Sequence, residues 1–112
     1  MYKNKFEHLD RYPMSPGFSR DLLGYQEGEN SYTVNRLYGK KGSRSKPHTH
    51  PHCQFVYILS GKGIFLCGGE EIPVGPGDCL QIDSNVPHGF GYVEEDSEWL
   101  EIFTPAREDF KP

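Results

Sequence analysis

Glycine and proline interrupt this chain so often that no long helix fits between the breaks. There are 13 Gly and 9 Pro among its 112 residues. They gather at Gly39–Gly42, Ser60–Gly63, Gly68–Gly69 and Gly75–Pro76–Gly77, each a turn signal. The runs between them are strand-sized, as in Phe18 to Tyr25, Ser31 to Tyr38, Phe55 to Leu59 and Cys79 to Ile82. None sustains an apolar period near 3.6, whereas Ser31 to Tyr38 alternates with period two. About nine short strands in one small domain predict an all-β fold, a sandwich or barrel of two packed antiparallel sheets.

The expected domain is the whole of residues 1–112. Residues 1–17 carry no clear period and are expected as an N-terminal loop segment, with a turn at Tyr12–Gly17. Ser60–Gly63 is expected as a turn and Glu94–Glu98 as an acidic loop. Trp99 to Thr104 is the last strand, with Trp99, Glu101 and Phe103 on one face and Leu100 and Ile102 on the other. Pro105 ends it, and residues 105–112 form a polar tail.

A net charge of −4 leaves no basic footprint for nucleic acid or for an anionic membrane. No apolar run is long enough to span a bilayer, and the start lacks a signal peptide's apolar core, so a cytoplasmic location is expected. Cys53, Cys67 and Cys79 are odd in number and widely spaced, which predicts free, buried thiols rather than a disulfide framework. The short basic run Ser43–Lys46 reads as a solvated loop.

Chemistry is concentrated in Lys46-Pro-His-Thr-His-Pro-His-Cys-Gln54, where His48, His50 and His52 crowd into five positions. Alternate residues of an extended segment share a face, so His48 and His50 can converge on one ion. Gln54, past the Pro51 bend, can add an amide oxygen, and His88 follows the Asp83–Pro87 turn at the start of a strand. His52 stands as a ligand in place of Gln54, as a group behind the ligands or as a group that meets the substrate, and His8 reads as an ordinary surface residue. Neutral imidazoles with an amide oxygen suit a divalent transition metal, and nickel, zinc, manganese and iron all accept such donors.

The spacing Gly42-x5-His48-x-His50-x3-Gln54-x6-Gly61 resembles the first cupin motif, with Gln54 where most cupins have Glu. Gly77-Asp78 through Asn85-Val-Pro-His88 resembles the second motif, with Asp83 and Asn85 where Pro and Gly are more usual. The resemblance implies a cupin-type double-stranded β-helix, a jelly-roll-like barrel often paired into homodimers. It also implies metal binding by His48, His50, Gln54 and His88.

A narrower likeness runs through His48–Gln54, Asp83–Gly89 and Leu100–Phe110. These segments are similar to the pectin-degradation cupins, the KdgF family, which linearise 4,5-unsaturated uronates to open-chain ketouronates. That likeness implies Glu101, Phe103 and Arg107 as catalytic residues, Glu101 standing where the family has Asp. Glu101 would move the proton, Arg107 would pair with the carboxylate of a small sugar acid, and Phe103 would pack against its ring. Tyr57 or Tyr92 would add hydroxyl contacts. Two other expectations stay open beside it, a three-histidine dioxygenase and a non-catalytic domain that binds a small ligand.

Overall fold

The structure is a computed structural model and describes residues 10–112; His8 and the first part of the N-terminal segment lie outside the described residues. Seven strands run in chain order: β1 Arg11–Pro13, β2 Phe18–Gln26, β3 Tyr32–Gly39, β4 Cys53–Cys67, β5 Glu70–Val74, β6 Cys79–Ile82 and β7 His88–Thr104. They pair antiparallel in the order β1-β2-β3-β7-β4-β5, and β6 joins the free side of β4. Among the described residues the only helical element is one 3-10 turn at Glu108–Phe110.

Two strands are far longer than the punctuation of the sequence predicts. β4 has 15 residues and β7 has 17. A flat strand of that length would reach about 55 Å, yet the longest dimension of the fold is 37 Å. Both strands therefore bend. Phe90 and Trp99 show where: nine positions apart on β7, their ring centroids lie 4.6 Å from each other.

The bend divides each long strand between two layers. The first half of β4, Gln54 to Tyr57, lies between β6 and the second half of β7. Its second half, Gly63 to Cys67, lies between β5 and the first half of β7. Register shifts at Ile58/Ser60, Ser60/Lys62 and Lys62/Gly63 mark the corner. This corrects two expectations, because Ser60–Gly63 and Glu94–Glu98 are bulged, continuous strand rather than a turn and a loop. Residues that would end a flat strand serve here to bend one, since a bulge adds twist without releasing the ladder.

The core fills the space between the layers. Val56, Ile58 and Val93 are wholly buried, with Phe65, Ile82 and Trp99 nearly so. Trp99 packs against Phe90 and meets Phe18 edge-on, with 6.2 Å between centroids. On β3 the inward positions are Thr33, Asn35 and Leu37, all fully or almost fully buried.

Three further expectations need correction. Arg11–Pro13 is an edge strand rather than loop, paired to Ser19–Asp21. Its three residues are all exposed, so no apolar alternation announces it. The tail does not hang free: Arg107 N–H donates to Thr33 Oγ1 at 2.8 Å and Ala106 N–H to Ser31 Oγ at 3.0 Å. The cysteines are free but not buried, with Cys53 and Cys79 exposed and Cys67 partly so. Cys53 and Cys79 take outward positions on strands whose inward residues fill the core.

Gly63 sits at the β4 corner, where a Cβ would fall 2.2 Å from the Tyr92 carbonyl oxygen and 2.4 Å from the Phe90 ring. Neither atom can move without undoing the bend. Gly63→Ala is predicted to cost about 3 kcal/mol or more in urea unfolding. Gly69→Ala, where nothing lies within 4 Å but φ is +84°, should cost only about 1 kcal/mol.

Candidate metal centre and cavity

Backbone pairing brings distant parts of the chain to one point. His48 and His88 form a two-bond bridge, His48 N–H to His88 C=O at 2.9 Å and His88 N–H to His48 C=O at 3.0 Å. Pro47 and Pro51 keep the intervening segment extended but out of any longer ladder. Asn85, at φ 63°, donates its N–H to the His50 carbonyl at 2.8 Å and so ties the Asp83–Pro87 turn to that segment. Gln54 projects inward from the start of β4 and is almost fully buried.

The four side chains then converge. Candidate ligand nitrogens of His48, His50 and His88 all lie within 4.8 Å of one another. His50 Nε2 is 2.9 Å from Gln54 Oε1 and 3.0 Å from His88 Nε2, and His88 Nε2 is 2.8 Å from Gln54 Oε1.

The other ring nitrogens reveal the chemistry of this cluster. His50 Nδ1 donates to the His52 carbonyl at 3.1 Å, and His88 Nδ1 donates to the Val86 carbonyl at 2.7 Å. A neutral imidazole protonated at Nδ1 carries a lone pair at Nε2. Two lone-pair nitrogens and an amide oxygen thus face one another with no proton between them. Such a group of acceptors fits a cation.

Burial, first, holds all three imidazoles below their ordinary pKa, His88 as far as about 4. The nearby Arg107 charge acts in the same direction. They are therefore neutral, the form that ligates. His52 is not among the converging donors; its ring lines a separate groove with Pro105 and Asp109. Its backbone oxygen, which accepts from His50 Nδ1, stands behind the converging donors.

Beside the cluster lies a cavity of about 550 Å³. Phe18, Phe65, Phe90 and Trp99 form its apolar wall, while His48, Gln54 and His88 border it on the metal side. Glu101 reaches it from β7 and accepts a 2.9 Å hydrogen bond from the Trp99 indole at Oε2. Although the residue keeps some surface, its carboxyl is enclosed. That burial pushes its pKa up to about 7 against the opposing pulls of Trp99 and Arg107.

The mouth is more basic than expected. Arg44, Ser45 and Lys46, read from sequence as a solvated loop, line the cavity, as do Arg107, Asp109 and Phe110 of the tail. Their nearness to His48 in the chain was the available signal. Arg107 stacks on Phe103 and Phe110 at 5.0 and 4.6 Å. Asp109 accepts from its Nε and Nη2 at 3.0 and 2.7 Å.

Phe103 is buried between the His50 ring at 5.5 Å and the Phe110 ring at 5.9 Å, and supports the ligands rather than lining the cavity. Tyr57 lies on the outer face opposite Leu100, and Tyr92 lies beneath Arg44; neither lines the cavity. Trp99, which orients Glu101, is the residue that sequence reasoning left without a functional role.

A bent all-β barrel with histidines from two motifs gathered at its mouth defines a class, and direct comparison agrees. The cupin-domain family model matches residues 37–103, and the chain belongs to that family. The pectin degradation protein KdgF of Dickeya dadantii is 34% identical over 71 residues, covering 62% of this chain and 64% of that protein. Quercetin 2,3-dioxygenase of Bacillus subtilis is 24% identical over 98 residues, 87% of this chain and 29% of that protein. The chain thus spans less than two thirds of either relative. The solved structure of KdgF from a Halomonas species superposes with a TM-score of 0.84 at 24% identity, covering 97% of this chain and all of that one.

Two outcomes test the centre. Added zinc or nickel should raise the melting temperature of the parent and not of His50→Ala, since a ligand bound only by the native state stabilises it, by about 2.7 kcal/mol at a hundredfold excess over Kd. The metal-free Glu101→Gln variant, which lacks that carboxyl's opposite pH dependence, should also lose stability in acid. With folded-state pKa values held below 6.5, the unfolded chain binds more protons as pH falls, so urea stability should decline between pH 6.5 and about 4. Stability unchanged across that window would show the imidazoles to be ordinary.

Proposed function

We propose that this protein is a metal-dependent cupin isomerase that opens 4,5-unsaturated uronates to their open-chain ketouronates. The observation that carries the reading is the enclosed carboxyl of Glu101, with a pKa of about 7, facing the same cavity as the histidine–glutamine cluster. A group with that proton affinity can both take and return a proton near neutral pH. Sequence likeness to KdgF and the shared fold support the substrate class.

The reaction is an isomerisation and needs no oxidant. Glu101 removes the proton of the anomeric hydroxyl, the bond from that carbon to the ring oxygen breaks, and an aldehyde and an enolate result. The same carboxyl then delivers that proton to C4, and the enolate becomes a ketone. Trp99 keeps the carboxyl turned toward the cavity through its indole N–H. Arg107, held by Asp109 at Nε and Nη2, offers its remaining N–H groups to the substrate carboxylate. Arg44 and Lys46 add positive charge at the same mouth. Apolar rings opposite them exclude water from the reacting atoms. A divalent metal held by His48, His50, Gln54 and His88 would supply Lewis acidity toward the substrate's oxygens.

The likeness to quercetin 2,3-dioxygenase favours a second reading, oxygen chemistry at the same centre. Oxygen uptake separates the two. Under nitrogen, the metal-loaded protein should bleach the conjugated double bond of an unsaturated uronate at an undiminished rate. Glu101→Gln should lower that rate by about 10²–10⁴-fold while elemental analysis shows parental metal content. Turnover that stops without oxygen, or a fully active Glu101→Gln, would remove the isomerase reading.

A further inference from the structure

Among the described residues, Asn35 is a buried polar side chain that the reaction above does not use. Asn35 is wholly buried, and both its amide oxygen and its amide nitrogen lack a hydrogen-bond partner. Protein interiors rarely leave such atoms unpaired, because burial strips them of water and returns nothing. Its neighbours on the inward face of β3 are accounted for: Thr33 receives the Arg107 N–H and Leu37 joins the core.

The register of the sheet says what Asn35 is next to. β3 and β7 pair so that Asn35 stands directly opposite Glu101, flanked by Thr33↔Phe103 and Leu37↔Trp99. All of these point to the barrel interior, and side chains in facing positions have Cβ atoms about 5 Å apart. The Glu101 carboxyl has one oxygen taken by the Trp99 indole. Its other oxygen is not engaged by that bond, and side chains in facing positions of a ladder are near enough to meet.

We infer that Asn35 is a positioning residue for Glu101: its amide N–H donates to the carboxylate oxygen that Trp99 leaves free, and together the two donors fix the face that the carboxyl presents to the cavity. An asparagine suits this place better than a charged donor. Lysine or arginine there would hold Glu101 permanently ionised, whereas a neutral N–H steadies the carboxylate and still lets it accept a proton. The charged and titratable groups around Glu101 are few. Arg107 faces it from the tail, with His48 and His88 across the cavity and Arg44, Lys46 and Asp109 at the mouth. Its partners on the adjoining strands, Asn35 and Val56, carry no charge.

This role rests on Glu101 being the proton carrier proposed above, and the test keeps the two apart. Asn35 side-chain amide protons, and the Trp99 indole proton that reports on Glu101 in the Asn35 variants as well, are followed by NMR through a pH titration of the zinc-loaded protein, in the parent and in Glu101→Gln. They should shift with a midpoint that Glu101→Gln abolishes. Asn35→Leu, which replaces the amide by an apolar group of like size, should raise the Glu101 midpoint by about one unit, tenfold in proton affinity. It should also lower kcat up to about a hundredfold with little change in KM. Asn35→Ser, which restores a donor, should recover part of both, and it carries the test should the leucine variant not fold. Amide protons indifferent to Glu101, or a folded Asn35→Leu with parental midpoint and kcat, would overturn the inference. Failure of the parent to turn over any uronate would sink the reaction instead, with the NMR titration still deciding the contact.

Discussion

The pairing of β4 with β7 along nearly their whole lengths is the constraint on which everything else in the fold depends. It joins Cys53↔Thr104 at one end and Cys67↔His88 at the other. Because both strands bend at the same level, their halves become opposite walls of one chamber. Gln54 and Glu101 come from one wall and Phe65, Phe90 and His88 from the other. These five residues are thus held by a continuous ladder rather than by a loop. A site built this way keeps its geometry as long as the corner survives, which is why the glycines at the corner matter as much as the ligands.

Much of this could be read in the chain before any coordinates. His48, His50, Gln54 and His88 carry the spacing that brings them together, and the strand pattern of Trp99–Thr104 correctly puts Glu101 on the inward face with Trp99. What could not be read falls into two kinds. Bent strands look like turns in sequence, because Gly61 and Gly63 have the same composition whether the chain reverses or merely corners; only the partner strand decides. Polar segments that border a cavity look like solvated loops, because Arg44, Lys46 and Arg107 face water on one side and the site on the other. Local pattern reports which residues are apolar, and neither distinction depends on that.

Charge explains why the site is arranged in this way. Three neutral imidazoles and an amide oxygen compensate none of a divalent ion's charge, whereas the glutamate usual in the cupin motif would remove one unit. The uncompensated charge draws anionic oxygens more strongly and binds the ion less tightly. The carbonyls of His52 and Val86 offset part of that loss by fixing two of the rings in the ligating tautomer. The protein as a whole is acidic, with a net charge of −4, yet the mouth of its cavity is bordered by Arg44, Lys46 and Arg107 against Asp109 alone. Field lines are focused where the chamber opens.

That distribution bears directly on how one carboxyl could serve as both acid and base. An anionic substrate entering the chamber is a like charge to Glu101 and would raise its proton affinity further, trapping it as the acid. Arg107 acts the other way, as would a cation held by the histidines, favouring the ionised form. The Trp99 indole adds a neutral donor on the same side of the balance. Burial alone would leave Glu101 permanently protonated and cations alone permanently ionised. A near-neutral pKa arises because strand β7 puts the carboxyl deep in an apolar wall, the Trp99 indole donates to it, and the tail, tied to Thr33 and Ser31, holds a guanidinium over the same opening. In the proposed reaction the tail therefore acts through the charge it carries, although its own residues contribute little to the core.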